Sequence, residues 1–373
     1  MYVIIVAWNY CSKRGKMKVL MKGNEAIGEA AIRAGCKNYF AYPITPQSEV
    51  AEYMCKRLPE VGGVFLQGES EVAVSYMIYG VAGAGERVFT TSSSPGISLM
   101  GEGISYAAGA ELPIVYVNIQ RGGPGLGGIL PGQSDYLQAT CGIGHGDFKL
   151  LVLAPATVQE MAEMMMDAFE LADKYRNPIM ILGDGMLGQM MEPVEFPEKV
   201  SAKSIDKNSW ATNGMATRGT TKRNLVKSLF LAAEQLHAHN IKLAEKYKAM
   251  KENEIRYATY NTESEYEILL AAYGTSSRVC QTAIDLLKEE KIEAALFRPQ
   301  TVWPFPEKAL FDLAQKSSCK AVVSVEMSMG QMVKDVDHYV YGTKPVTWFG
   351  KAGGAIPSPE EVAAYVKKVL NRS

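Results

Sequence analysis

The sequence predicts an α/β protein built on two parallel sheets, a larger one of six strands and a smaller one of about four. Three observations carry that reading. From Met17 onward short β-rich runs alternate with helical patterns, which implies parallel sheets covered by helices. The central runs, "PIVYVNI" and "PIMILGDG" among them, are apolar without alternation, as expected of strands buried on both faces. The alternation lapses over a polar stretch, residues 192–222, and resumes at Tyr266.

The N-terminal "MYVIIVAWNYCSKRGK" carries an apolar run too short to span a bilayer, and its basic residues follow that run, unlike those of a signal peptide. Residues 1–16 therefore read as an appendage, with Met17 opening the folded part. A helix over 24–34 leads to the strand "NYFAYPI". In "AYPITPQSEVAEY", Pro46 suits the first helical position and Thr45 the N-cap, so a second helix is expected from Pro46. After "GVFLQG" comes a helix over 72–85 that is apolar all round, hence interior, with Glu69 and Glu71 at its mouth. The strand "RVFTTSSS", a helix over 97–109, "PIVYVNI", a Gly-rich loop with a short helix, "KLLVLAP", a helix over 158–175 and "PIMILGDG" complete the larger sheet.

Residues 192–222 read as a linker, rich in Ser, Thr, Asn and Pro. A long helix is expected next, with Leu225, Leu229, Ala232, Leu236 and Leu243 at helical spacing. The runs "YEILLAAYG", "AALFRPQTVWP", "KAVVSVEM" and "PVTWFG" supply the smaller sheet. The expected division is 17–198 for the first domain, 199–262 for the linker and long helix, and 263–373 for the second domain.

Net charge is −1, with 39 basic against 40 acidic residues, which gives no support for a nucleic-acid or anionic-membrane surface. The six cysteines are scattered without a C-x-x-C pair, which argues against zinc or an iron–sulfur cluster held by this chain alone and fits a reducing cytoplasm. The four histidines are dispersed, and no Ser/His/Asp order, Walker sequence or H-E-x-x-H appears. A site without its own nucleophile or metal ligands suggests that a cofactor does the chemistry.

Glu69 and Glu71 have a simple explanation as acids meeting the positive end of a helix. Against it, an ionised carboxylate in an interior segment costs several kcal/mol, of the order estimated for buried ions, unless a specific partner holds it. Thr45 falls at a strand's carboxyl end, where open α/β sheets bind ligands. The hydroxyls of "TTSSSPGISL" could cap a helix or meet an anion, and capping is expected for most of them. A literal G-x-G-x-x-G at Gly123, Gly125 and Gly128 is rejected as a dinucleotide site, because Ile129–Gly132 prolongs the loop where a helix should open. That leaves Arg121 heading a glycine-rich loop, either as a carboxylate or phosphate clamp or as a surface salt bridge.

The motifs "YPITP" (42–46), "ESE" (69–71), "TTSSSPGISLMGEG" (90–103), "QRGGPGLGG" (120–128) and "VEMSMGQM" (325–332) resemble the alpha subunit of thiamine-diphosphate-dependent 2-oxoacid:ferredoxin oxidoreductases. The resemblance covers nearly the whole chain after Met17. "KGNEAIGEAAIRAG" and "LGDGMLGQMMEPVE" are most similar to the branched-chain, 2-oxoisovalerate type. It implies a six-stranded thiamine pyrimidine-binding domain followed by a smaller transketolase C-terminal-like domain. It implies that Glu71 hydrogen-bonds N1′ of the aminopyrimidine and so promotes loss of the thiazolium C2 proton, with Glu69 left as a helix-end acid. It also places Thr45 near the substrate and Arg121 on the 2-oxoacid carboxylate.

The implied reaction is oxidative decarboxylation of a 2-oxoacid, 3-methyl-2-oxobutanoate foremost, to its acyl-CoA with reduction of ferredoxin. Thiamine diphosphate would be shared with a beta subunit carrying the diphosphate–Mg2+ site and a [4Fe-4S] cluster, beside gamma and ferredoxin-like delta subunits, with no nucleic acid and no membrane involved. The loop "GGPGLGGILPGQSD" departs from the family's common "GPSTG" form. Competing readings are a 2-oxoglutarate-specific alpha subunit and a structural subunit without turnover. A free-standing thiamine decarboxylase would need a diphosphate site that this chain does not display.

Overall fold

A computed structural model describes residues 18–197 and 205–372. The expectation for residues 1–16 lies outside them. The larger sheet runs in the order Thr301–Trp303, Leu151–Leu153, Ile179–Asp184, Val115–Gln120, Val88–Ser92, Asn38–Ala41, Val64–Gln67. The six expected strands are present and mutually parallel. Phe89, Val115, Val117, Ile119, Ile179 and Ile181 are fully buried, each contributing roughly 1.5–3 kcal/mol through its removal from water. The same strands also bury Thr90, Thr91, Asn118 and Gln120, polar groups that must find partners or a ligand.

The seventh strand, Thr301–Trp303, is antiparallel to Leu151–Leu153 and was expected to continue Ala294–Pro299 in the other sheet. The chain breaks at Gln300 instead. The Arg256 carbonyl accepts from both Gln300 N and Thr301 N at 3.0 Å, and the Gln300 carbonyl accepts from Ala154 N at 2.8 Å. These bonds pass the chain from one sheet to the other. The smaller sheet has five strands in the order Val346–Gly350, Ala321–Glu326, Ile268–Ala271, Ala294–Pro299, Tyr257–Tyr260, the last an antiparallel edge that the sequence reading omits.

Three further expectations are corrected. The start of the 192–222 linker is ordered: Met191–Glu195 pairs antiparallel with Lys18–Lys22, and the Glu192 carboxylate meets Arg278 at 2.8 Å. The long helix is Ala233–Asn253, so Leu225 and Leu229 precede it and stand 75% and 66% exposed, with no apolar surface among the described residues to bury them. The second helix is Ser48–Glu60, beginning two residues after Pro46, with Gln47 at its N-cap. Thr45 is therefore not a cap. The Pro46 carbonyl accepts from Asn24 Nδ2 at 2.8 Å and Gln189 Nε2 at 3.2 Å, which holds it in a turn outside the helix.

A buried polar seam joins the two sheets' units. Gln133 donates to the Tyr273 carbonyl at 2.9 Å and accepts from Ser276 Oγ at 2.7 Å and Met327 N at 3.0 Å. Asp184 accepts from Thr275 Oγ1 at 2.8 Å. Buried and fully partnered, these groups fix one arrangement of the units.

Candidate active site

Four adjacent strands of the larger sheet deliver the candidate residues at their carboxyl ends. Asn38–Ala41 leads to Thr45, Val64–Gln67 to Glu71, Val88–Ser92 to Ser94, and Val115–Gln120 to Arg121. From Asn38–Ala41 the chain adds its next strand on one side and the following strand on the other. That reversal opens a crevice at the carboxyl ends, the usual ligand position of such sheets.

Glu71 is the first residue of the helix Glu71–Gly83, capped by Ser70, whose Oγ accepts from Ala73 N at 3.2 Å. Glu69 lies outside that helix and is exposed, so it is not the helix-end acid expected of it. Glu71 is 5% exposed and has neither a hydrogen bond nor an ion pair among the described residues. Its carboxylate lies against Gly96, where an added Cβ would stand 2.5 Å from Oε1 and 2.2 Å from Ser92 Oγ. The helix itself is interior on one face only. Val74 and Ile78 are buried, whereas Val72 and Tyr76 are 42% and 41% exposed because nothing among the described residues covers that side.

Arg121 is 7% exposed. Its guanidinium donates to the Thr45 carbonyl at 2.8 Å and the Leu126 carbonyl at 3.0 Å, and its buried Nε has no partner. No carboxylate among the described residues pairs with it, so the surface salt-bridge alternative is not what forms. The structure thus joins Arg121 to Thr45 through the latter's main chain, while the exposed Thr45 side chain makes no hydrogen bond. The loop after Arg121 is closed by Gly122 N donating to the Leu130 carbonyl at 2.9 Å, and it presents Leu126, Ile129 and Leu130 to solvent.

The hydroxyls of residues 90–94 do not cap the following helix, as was expected of most of them. Ser93 occupies the N-cap position of Ser94–Leu99 without a side-chain bond: Pro95 has no N–H to offer and Gly96 N donates to the Ser93 carbonyl at 2.7 Å, while Asn118 Oδ1 accepts from Ser94 N at 3.1 Å. Thr91 Oγ1 instead bonds Tyr39 OH and Gln47, and Thr90, Ser92 and Ser93 keep buried hydroxyls without partners. Beneath Arg121, Asp135 Oδ2 accepts from Ser94 Oγ at 2.6 Å and Asn118 Nδ2 at 2.9 Å. Burial pushes the Asp135 carboxyl above the usual range, against those two hydrogen bonds and the charge of Arg121. Sequence reasoning counted Ser94 among hydroxyls that could cap a helix or meet an anion, and missed Asn118 and Asp135. The available signal was polar Asn118 and Gln120 inside an otherwise apolar strand run.

A carboxylate held unpaired beside unpartnered hydroxyls and a glycine bed suits an N–H-bearing heterocycle such as the thiamine aminopyrimidine. A guanidinium held only by carbonyls suits an anionic substrate group. Among the described residues no cluster of His, Cys, Asp and Glu could hold a metal ion.

On fold alone the chain is similar to a split gene transketolase, with a TM-score of 0.58 at 15% identity over 96% of this chain and 99% of that one. That defines the class as a transketolase-like α/β fold. The family is narrower. Residues 29–259 match the family described as pyruvate flavodoxin/ferredoxin oxidoreductase, thiamine diP-binding, and residues 266–362 match pyruvate:ferredoxin oxidoreductase core domain II. The chain belongs to the 2-oxoacid:ferredoxin oxidoreductase family. It is 47% identical to ketoisovalerate oxidoreductase subunit VorB of Methanothermobacter marburgensis, over 95% of this chain and 98% of that protein. It is 34% identical to 2-oxoglutarate synthase subunit KorA of Methanothermobacter thermautotrophicus, over 94% and 98%. Among solved structures it is similar to the 2-oxoglutarate:ferredoxin oxidoreductase of Magnetococcus marinus, with TM-score 0.82 and 27% identity over 95% of this chain and 65% of that one.

Proposed function

We propose that this chain is the subunit of a 2-oxoacid:ferredoxin oxidoreductase that binds the pyrimidine half of thiamine diphosphate and the substrate carboxylate, and that the substrate is 3-methyl-2-oxobutanoate. The observation that carries this reading is the pair of buried charges without an ion-pair partner among the described residues, Glu71 and Arg121, past the carboxyl ends of one sheet's strands. When bound, thiamine diphosphate supplies the nucleophilic carbon and the electron sink that decarboxylation of a 2-oxoacid requires. Glu71 would hold the aminopyrimidine by accepting a hydrogen bond from it, and would keep a proton on that ring. Arg121, whose buried Nε–H has no partner among the described residues, would grip the substrate carboxylate, with the exposed Thr45 hydroxyl beside it. Gly96 keeps the Glu71 carboxylate free of contact that would displace it.

The substrate assignment rests on the loop. Residues 122–144 contain no Lys, Arg or His, and the loop offers Leu126, Ile129 and Leu130. A 2-oxoglutarate enzyme needs a cation for the distal carboxylate, because a buried unpaired charge is costly. The KorA relatives favour that second reading, which would require the cation to come from a partner subunit. The uncovered face bearing Val72, Tyr76 and Leu99 supports a partner packed over the Glu71 helix, the beta subunit that would carry the diphosphate, Mg2+ and [4Fe-4S] sites. On this reading residues 17–198 form the pyrimidine-binding unit, 199–262 link it and 263–373 form the second unit. The assembly works in the cytoplasm with coenzyme A and ferredoxin, alongside gamma and delta subunits. Assaying the reconstituted complex on pyruvate, 3-methyl-2-oxobutanoate and 2-oxoglutarate tests the assignment. The expected order places 3-methyl-2-oxobutanoate highest in kcat/KM. A clear preference for 2-oxoglutarate overturns the substrate, and no turnover of any of the three overturns the function.

A further inference from the structure

Asp135 sits where two parts of the site meet. Its Oδ2 takes the proton of Ser94 Oγ at 2.6 Å, which leaves a lone pair on that oxygen for Arg121 N at 3.0 Å. The Arg121 carbonyl approaches the same hydroxyl at 3.4 Å, too far to compete for its single proton. The same Oδ2 takes Asn118 Nδ2–H at 2.9 Å, so the amide's Oδ1 is turned toward Ser94 N at 3.1 Å. One acceptor thereby sets the direction of four hydrogen bonds. The Asp135 main chain is fixed in turn, with its N–H donating to Gln120 Oε1 at 3.1 Å while Gln120 Nε2 donates to the Gly183 carbonyl at 3.2 Å.

Ser94 opens the short helix Ser94–Leu99, and two residues on, Gly96 forms the bed of the Glu71 carboxylate. Arg121 is the other end of the ring. We infer that Asp135 is a positioning residue that locks the Glu71 bed and the Arg121 clamp into one rigid unit, so that the cofactor-facing acid and the substrate-facing cation keep a fixed relation. The inference rests on the function proposed above. It requires an acceptor at position 135 and not a negative charge, because both bonds end on a single oxygen.

Two readouts separate the halves in the reconstituted complex. Hydrogen–deuterium exchange at C2 of bound thiamine diphosphate reports Glu71. The affinity for oxamate, an unreactive carboxylate with an adjacent carbonyl and no side chain, reports Arg121. Asp135→Ala should slow exchange and weaken oxamate, each on the order of tenfold, as the loss of charge-assisted hydrogen bonds would. Asp135→Asn, which keeps the oxygen, should restore both to within about threefold. Ser94→Ala should move both readouts in the same direction, and it decides the matter if Asp135→Ala fails to assemble. A change confined to one readout, no change in either, or Asn as damaging as Ala overturns the inference. Glu71→Gln and Arg121→Met serve as controls, expected to move exchange alone and oxamate alone. If neither control moves its readout, the proposed function fails, whatever Asp135 does.

Discussion

Glu71 and Arg121 are buried charges of opposite sign on the same sheet edge that pair neither with each other nor with any other charge among the described residues. Leaving a buried ion uncompensated costs several kcal/mol, by the usual estimate of about 3–5 for a broken buried pair. On the proposed reading the cofactor's N–H would relieve the first and the substrate's carboxylate the second.

Replacing Glu71 by Gln should therefore leave the fold intact and lower turnover of the reconstituted complex by on the order of 10²-fold, as loss of a positioned proton-transfer group does. Glu69→Gln, at an exposed position outside the helix, should change it little. Steady-state kinetics of the two variants side by side check this, and the reverse order would remove Glu71 from the chemistry.

Gly96→Ala should damage the same step without touching a charge. Its Cβ would fall 2.5 Å from Glu71 Oε1 and 2.2 Å from Ser92 Oγ, closer than real contacts allow. We expect a folded chain whose complex turns over at least ~tenfold more slowly, by the arithmetic of about 1.4 kcal/mol per decade. Gly80→Ala, with nothing within 4 Å of the new atom, should raise the melting temperature of the isolated chain slightly. Retained activity in Gly96→Ala would mean that the acid works from another position.

The isolated chain should bind thiamine diphosphate weakly and reduce no viologen with any 2-oxoacid, since the described residues offer no metal cluster site. Titration calorimetry and a viologen assay of the purified chain suffice. Robust reduction would return the free-standing enzyme to consideration.

Burial pushes the Lys246 ammonium down to about 8, only partly opposed by Glu111 beside it. A lysine with a depressed folded pKa destabilises the fold most below that value, and the cost is relieved as pH rises toward the ordinary 10.5. Lys246→Met removes this contribution while Lys242 still pairs with Glu111. The melting temperature of the wild type relative to the variant should accordingly rise between pH 7 and pH 10. A flat difference would show that the ammonium is not strained by its surroundings.

The central parallel strands were legible because burial on both faces writes a largely apolar run into them, whereas Val64–Gln67, at the sheet's margin and mostly exposed, showed only as an apolar run between glycines. Edges were not: "YATY" at 257–260 is mostly exposed, and its mixture of side chains carries no period. Leu225 and Leu229 show the opposite failure, a helical spacing with no surface to bury it. Thr45, Glu71 and Arg121 stood out as chemistry-bearing residues at strand ends, and the structure places all three on one edge. The ring of Ser94, Asn118 and Asp135 was invisible because its members lie 17 to 41 residues apart, and only the folded chain brings a helix start, a strand and a second helix's N-cap together.

The strand Thr301–Trp303 borrows its place in the larger sheet from a segment that otherwise builds the smaller one. A chain cut between the units would leave Leu151–Leu153 as a raw, apolar sheet margin with unclaimed amides and carbonyls, the kind of edge along which proteins aggregate. The two halves are covalently consecutive yet stitched, the larger sheet incomplete without a strand from the segment that builds the smaller one.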